Sequence, residues 1–133
     1  MTKITLGQVC IKKTGGKFEC RRIPYNTSNH PMHWVIKNRW AKEWKKEVAN
    51  QVMINRRKFG KLPLKFPRIS VLLYAVRPFD TDGSYTACKA IVDGLKRDCT
   101  GVIKDDSPKH INLEVKQIKV GHKNEERVEI EFD

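Results

Sequence analysis

The residues of this chain best suited to metal chemistry are aspartates that lie close together in sequence. Asp80, Asp82, Asp93, Asp105 and Asp106 fall within 27 positions, although the whole chain of 133 residues has only 15 Asp and Glu. Crowded carboxylates repel one another unless a cation joins them. Their hard oxygens suit Mg²⁺, which Mn²⁺ can replace and which keeps waters for a phosphate. The pattern therefore predicts a metal site that acts on phosphate.

Two pairs of these aspartates follow predicted strands. Asp80 and Asp82 come just after the most apolar segment, and side chains two apart in an extended chain point the same way. Asp105 and Asp106 follow a short strand predicted at residues 102–103. Neighbours in an extended chain point opposite ways, so we expect only one of these two to bind the metal directly. The structural alternative is an Asp-Gly turn after a strand, without any metal.

A lysine and an aspartate in the same region share a predicted helix face. A helix is predicted over residues 84–97, with Ser84 as its N-cap. Lys89 and Asp93 are four residues apart and lie off the apolar stripe of this helix. Lys89 is therefore a candidate catalytic lysine that Asp93 supports. The alternative is an ordinary surface ion pair.

The charge of the chain is positive and unevenly distributed. Lys and Arg number 27 against 15 Asp and Glu, a net charge of +12. Residues 1–77 hold 18 basic and 3 acidic residues, whereas residues 78–133 hold 9 basic and 12 acidic. So strong a field over one half favours a polyanionic partner. The alternatives are a merely soluble basic surface and a ribosomal-type RNA-binding protein.

The longest helical pattern runs over residues 33–58. Its apolar stripe of Trp40, Trp44, Val48 and Val52 repeats every four residues and is expected in the core. The basic residues lie mainly off that stripe and are predicted to bind DNA: Lys37, Arg39, Lys42, Lys45 and Lys46.

The remaining patterns predict one small α+β domain over residues 1–133, with a mixed or antiparallel sheet and two main helices. Residues 1–25 read as a β-ribbon extension, and residues 68–76 as a buried central strand. Residues 111–120 alternate with a slip near Lys116 and Gln117, which suggests a bulge. The last strand should bury Val128, Ile130 and Phe132.

The cysteines and the absence of long apolar segments bear on the compartment. No run reaches the roughly 20 apolar residues of a membrane helix, and no signal peptide is recognised, so a cytoplasmic protein is expected. Its cysteines should then stay reduced. Cys10 and Cys20 would be cross-strand neighbours in a hairpin, as core-facing thiols. The alternative is a zinc site formed with His30 and His33, although the spacing does not fit a zinc finger.

Three motifs together resemble the RusA-like Holliday junction resolvases. The matching segments are Phe79-Asp80-Thr81-Asp82, Lys89-Ala90-Ile91-Val92-Asp93-Gly94-Leu95 and Gly101-Val102-Ile103-Lys104-Asp105-Asp106. The resemblance covers residues 23–132 and is strongest over residues 78–106. It departs from the family pattern at Gly83, where the family has Asn, and by three extra residues between Asp82 and Lys89.

This resemblance implies a Mg²⁺-dependent endodeoxyribonuclease that resolves branched DNA by paired symmetric nicks, of the kind common in phage and prophage recombination. It implies a homodimer, because a four-way junction is nearly two-fold symmetric. By position, Asp80, Asp82 and Asp106 would be the catalytic and metal-binding carboxylates, with Asp105 as a further ligand and Lys89 as the catalytic lysine. The alternatives are a non-catalytic phage nucleic-acid-binding or regulatory protein and a nuclease of other specificity.

Overall fold

The computed structural model describes residues 2–13, 15–26 and 32–133 as an α+β domain, which confirms the predicted fold class. The strands are β1 (Thr2–Thr5), β2 (Val9–Lys12), β3 (Phe18–Arg21), β4 (Arg68–Ala75), β5 (Asn112–Lys119) and β6 (Arg127–Phe132). The helices are α1 (Trp34–Ile54), α2 (Arg56–Phe59), α3 (Thr81–Ala87) and α4 (Lys89–Asp93), with a 3₁₀ turn at Lys123–Glu125. Within the described residues, no helix combines the length and apolar character needed to cross a bilayer.

The main sheet has the order β1-β6-β4-β5. The predicted central strand is confirmed, because β4 pairs antiparallel with β6 and parallel with β5. Val71 lies opposite Ile130 of β6 and Val115 of β5, so one face of the sheet is apolar across three strands. Val128, Ile130 and Phe132 are buried on that face, as predicted.

Helix α1 follows the predicted pattern closely. Trp40, Trp44, Val48 and Val52 are all buried, and the helix packs against α4 and β2. The His33 side chain caps its first turn by accepting a hydrogen bond from the Val35 amide at 3.3 Å. The stripe therefore fixes the position of α1 relative to α4, which carries the candidate catalytic lysine.

The N-terminal strands are divided between two sheets. β1 pairs with β6 and forms an edge of the main sheet, whereas β2 and β3 form a separate hairpin. Cys10 lies directly opposite Cys20, as predicted, but the two form a disulfide, so the expectation of reduced thiols is wrong. They are also not core-facing, because the alternate residues Val9 and Ile11 take the buried positions, while Cys20 is exposed.

The zinc alternative loses its sulfur ligands to this disulfide, since zinc binds cysteine as a thiolate. His30 lies outside the described residues. His33, the other histidine of that prediction, caps α1 instead.

Two strand predictions for the second half are wrong. Residues 102–103 form no strand, although both side chains are buried in a loop. β5 contains no bulge, because its register with β4 is regular from Asn112 to Lys119. The slip in the apolar pattern arises because Gln117 takes an inward position, where its side-chain oxygen accepts a hydrogen bond from the Phe79 amide at 2.5 Å.

Candidate active site

Asp80 and Asp82 lie at the start of a helix rather than on an extended segment. α3 begins at Thr81, and Asp80 is its N-cap, accepting a hydrogen bond from the Gly83 amide at 3.1 Å. The prediction that Ser84 caps this helix is therefore wrong; Ser84 is buried and its hydroxyl donates to the Thr81 carbonyl at 2.7 Å. The strand-based argument that the two carboxylates point the same way does not apply, because Asp82 is in the first helical turn.

Gly83 lies in close contact with the side chains around this cap. A Cβ at this position would lie 2.3 Å from Asp80 Oδ1 and 2.8 Å from the side-chain oxygen of Asn26. The departure from the family pattern at Gly83 thus has a local structural reason here. The same contact places Asn26 beside the Asp80 cap, and the sequence patterns had not singled out Asn26 as a site residue.

The second group of candidate residues forms a compact lysine–carboxylate cluster, made of Lys89, Asp93, Lys96, Asp105 and Asp106. The Lys89 ammonium lies 3.5 Å from Asp93 Oδ1 and 3.5 Å from Asp106 Oδ2. The Lys96 ammonium lies 3.1 Å from Asp93 Oδ1, 3.4 Å from Asp106 Oδ1 and 3.9 Å from Asp105 Oδ1. Two lysines therefore share three aspartates, and Asp106 contacts both lysines.

The two lysines of the cluster differ in exposure. The Lys89 side chain is 65% exposed, whereas that of Lys96 is 26% exposed. Asp93 Oδ1 is enclosed and makes no hydrogen bond, so the compensation of its charge depends on the two ammonium groups at 3.1 and 3.5 Å. Lys96 is accordingly suited to hold the carboxylates in place, and Lys89 remains accessible to a substrate.

The electrostatics of the cluster follow from these contacts. Contact with Asp93 raises the pKa of Lys96, with a smaller contribution from Asp106 and partial opposition from burial. For Asp106, burial opposes ionisation, but hydrogen bonding to Asp105 and the charges of Lys96 and Lys89 outweigh it and lower the pKa. Both shifts stabilise the charged forms of Lys96 and Asp106, which therefore form an ion pair at neutral pH.

Backbone contacts bring the distant parts of the cluster together. The Ile103 amide donates to the Leu95 carbonyl at 2.9 Å, which returns the chain to the end of α4 just before Asp105. The Asp106 amide then donates to Asp105 Oδ1 at 2.9 Å. Gly94 allows α4 to approach α1, because a Cβ there would lie 3.0 Å from Val48 Cβ. The cluster thus depends on tertiary packing around α4.

A groove between α1 and the α3–α4 segment opens beside the cluster. It has a volume of about 320 Å³, with Lys37 and Lys45 on the α1 side and Lys89 and Asp93 on the α4 side. Two of the five basic residues predicted to bind DNA therefore face the same groove as the candidate catalytic lysine.

The other three basic residues of that prediction lie elsewhere on α1. Arg39 and Lys42 line a different depression, together with Lys12 and Lys13 of the hairpin. Lys46 is paired with Glu43 at 3.2 Å. The basic face of α1 is therefore divided into a groove side and a hairpin side.

The donor chemistry of the aspartates fits Mg²⁺ or Mn²⁺, because all are hard carboxylate oxygens. Within the described residues, however, no three His, Cys, Asp or Glu side chains are spaced to hold one ion. Asp80, Asp82 and Asp106 are therefore not gathered as one ligand set; Asp80 caps α3 and Asp106 is bound by lysines. Metal binding at Asp106 would have to compete with these two ammonium groups.

Lys96 is the residue that the sequence patterns undervalued. It contacts every aspartate of the cluster, and its spacing of three residues from Asp93 on a predicted helix could have indicated this.

Comparison of the chain with models of protein families, with curated proteins and with solved structures gives no match.

Proposed function

We propose that this protein is a metal-dependent endodeoxyribonuclease that resolves Holliday junctions and other branched DNA. The observation that carries the proposal is the Lys89 ammonium, which bridges Asp93 and Asp106 at 3.5 Å each and lies on the wall of a groove that also exposes Lys37 and Lys45. A groove lined in part by three lysines suits a DNA backbone, and the carboxylates beside it suit phosphate chemistry. The motif resemblance gives the substrate class.

Each residue has a distinct part in this proposal. Asp80, Asp82 and Asp106, with Asp105 in support, would hold Mg²⁺ or Mn²⁺ only after moving together, with Asp80 leaving its cap and Asp106 its lysines. The metal would supply positive charge and water activation for phosphodiester hydrolysis. Lys89 would stabilise the negative charge that builds up on the phosphate. Lys96 would act as a positioning residue, because it keeps Asp93 and Asp106 in place from a more buried location.

The proposal includes a homodimer, since the described part of one chain forms one lysine–carboxylate cluster and paired symmetric nicks need two. A rival proposal, a non-catalytic nucleic-acid-binding or regulatory protein, uses the same basic groove but assigns no role to the aspartates. Asp106→Asn separates the two, because it removes a carboxylate charge without removing a basic residue. The nuclease proposal requires that this variant bind a junction and fail to cut it.

The decisive experiment is cleavage of a labelled four-way junction by the full chain, with Mg²⁺, with Mn²⁺ and with excess EDTA. Symmetric nicks that need the metal and are lost in Asp106→Asn are the expected result. No cleavage of junctions with either metal, or full cleavage in EDTA, would overturn the proposal.

The groove itself is tested by paired charge removal. Substituting Lys37 and Lys45 together by Gln should weaken junction binding and reduce its dependence on salt, because fewer counterions are released. The matched control is the same double change at Arg39 and Lys42, which removes equal charge from the hairpin side of α1. Equal losses in both double variants would contradict a specific role for the groove.

A further inference from the structure

The loop over residues 60–67, between α2 and β4, presents an aromatic ring on a constrained backbone. Phe66 has φ of 46°, and within the described residues it is the one non-glycine position with a positive φ. That conformation is costly for a residue with a large side chain, and the following Pro67 restricts the backbone further. The Phe66 side chain is nevertheless 71% exposed, so core packing does not compensate for the strain.

The backbone on both sides of Phe66 is fixed by hydrogen bonds. The Leu64 amide donates to the Val102 carbonyl at 2.8 Å, and the Pro67 carbonyl accepts from the Asn112 amide at 3.0 Å. The ring is therefore held outward by an anchored loop. Strain retained at an exposed position of an anchored loop is typical of a binding site.

A cavity of about 550 Å³ lies beside Phe66. Its apolar wall is formed by Leu62, Pro63 and Leu64 together with the aromatic ring. Three lysines also line it, Lys61, Lys65 and Lys104, and the residues that line it include no Asp or Glu. An apolar, aromatic lining that also includes lysines suits a planar base that carries a phosphate.

The position of the cavity relates it to the lysine–carboxylate cluster. Lys104 lines the cavity and directly precedes Asp105 and Asp106 in the chain. His110, at the other end of the same loop, lines it as well. The cavity and the cluster are therefore lined by consecutive residues of one loop.

We propose that this cavity binds an unpaired nucleotide of the DNA substrate, with the base stacked on Phe66 and the phosphate bound by Lys61, Lys65 or Lys104. The inference rests on the proposed function for its substrate and extends it, because it assigns recognition of unpaired bases at a branch point to a site outside the groove. A second copy of the chain is the less favoured occupant, since a two-fold contact would bring these lysines against one another.

The test measures binding in excess EDTA, so that no cleavage intervenes. The probes are two four-way junctions, one fully paired and one with unpaired thymidines at the branch point. Phe66→Ala and Phe66→Gly should each weaken binding of the unpaired probe by about 10-fold or more, because base stacking is lost. Binding of the paired probe and its salt dependence should change little, since no charge is removed.

Two controls separate recognition from folding. Phe66→Gly relieves the positive φ, so its thermal midpoint should equal or exceed that of the wild type while its binding falls. Ile54→Ala removes an equally exposed apolar side chain, 71% exposed, from the end of α1 and should leave both affinities unchanged.

Three outcomes would overturn this inference. The first is that both Phe66 variants bind the unpaired probe as tightly as the wild type. The second is that the wild-type chain binds neither junction. The third is that either variant converts a dimer to a monomer in sedimentation. The last outcome would assign the cavity to a contact between copies. Selective binding through Phe66 without cleavage in Mg²⁺ or Mn²⁺ would instead uphold the cavity and refute the nuclease proposal. Metal-dependent cleavage together with unchanged affinities of both Phe66 variants would uphold the nuclease proposal and refute the cavity.

Discussion

Removal of the Lys89 ammonium separates a catalytic role from a structural one. In Lys89→Ala, Asp93 and Asp106 lose one cationic partner each but keep Lys96, at 3.1 Å and 3.4 Å respectively. The Lys89 side chain is 65% exposed, so solvent screens both of its ion pairs. The variant should therefore fold normally, with the carboxylates still charge-compensated.

The expected magnitudes differ widely between stability and rate. Exposed ion pairs of this kind contribute at most about 1 kcal/mol, so the thermal midpoint should fall by no more than about 5 °C. If Lys89 stabilises charge in the transition state, the cleavage rate should fall on the order of 10²-fold or more, which corresponds to at least about 2.7 kcal/mol. A rate loss much larger than the stability loss identifies the catalytic role.

The assay is single-turnover cleavage of a labelled four-way junction with enzyme in excess, together with thermal denaturation of the same preparations. Lys116→Ala is the matched control, because Lys116 is also an exposed lysine, 3.9 Å from the carboxylate of Glu114 on β5. It should keep the wild-type rate. A Lys89→Ala rate within a few-fold of the wild type would refute the reasoning and reduce Lys89 to a surface partner of Asp93.

The other predictions concern the stability of the site and are checked by denaturation. Because the pKa of Asp106 is lowered in the folded protein, its ionised form stabilises the fold above the ordinary value of 3.8, and this stabilisation is lost as the pH falls through the folded value. Asp106→Asn should therefore flatten the loss of unfolding free energy at acid pH. An unchanged dependence of unfolding free energy on pH would contradict this prediction. The pKa of Lys96 is raised, so its stabilisation is present below 10.5 and is lost at higher pH. Lys96→Gln should remove that loss at alkaline pH. It should also lower the unfolding free energy by roughly 1–3 kcal/mol at neutral pH, since the enclosed Asp93 oxygen then depends on one exposed lysine. A loss no larger than that of Lys89→Ala would argue against a positioning role. Gly83→Ala should displace the Asp80 carboxylate from its cap and cost about 1 kcal/mol, and an unchanged thermal midpoint would count against this geometry.

The sequence was most informative where one strong local pattern decided the structure. The four-residue repeat from Trp40 to Val52 required a helix with one buried face, and the apolar run of β4 required a strand covered on both sides. Both were predicted within a few residues of their observed bounds. The Lys89–Asp93 contact was also predictable, because it lies within one helical turn.

Where two local choices were nearly equivalent, only tertiary structure decided between them. Asp80 and Ser84 are both good N-cap residues, and the close approach of Asn26 to Gly83 belongs to a packing that no local pattern records. Gln117 likewise breaks the alternation of β5, because its partner is the amide of Phe79, a residue 38 positions away.

In the candidate site, likewise, some features were readable from the sequence and others were decided by tertiary packing. Its aspartates and Lys89 were identifiable from residue type and spacing, since few acidic residues occur in so basic a chain. That Asp106 contacts both lysines depends on the return of the chain from Leu95 to Ile103. Which basic residues of α1 face the groove depends on how that helix packs against α4. Residue chemistry is local and readable in sequence, whereas convergence of distant side chains is fixed by packing between elements far apart in the chain.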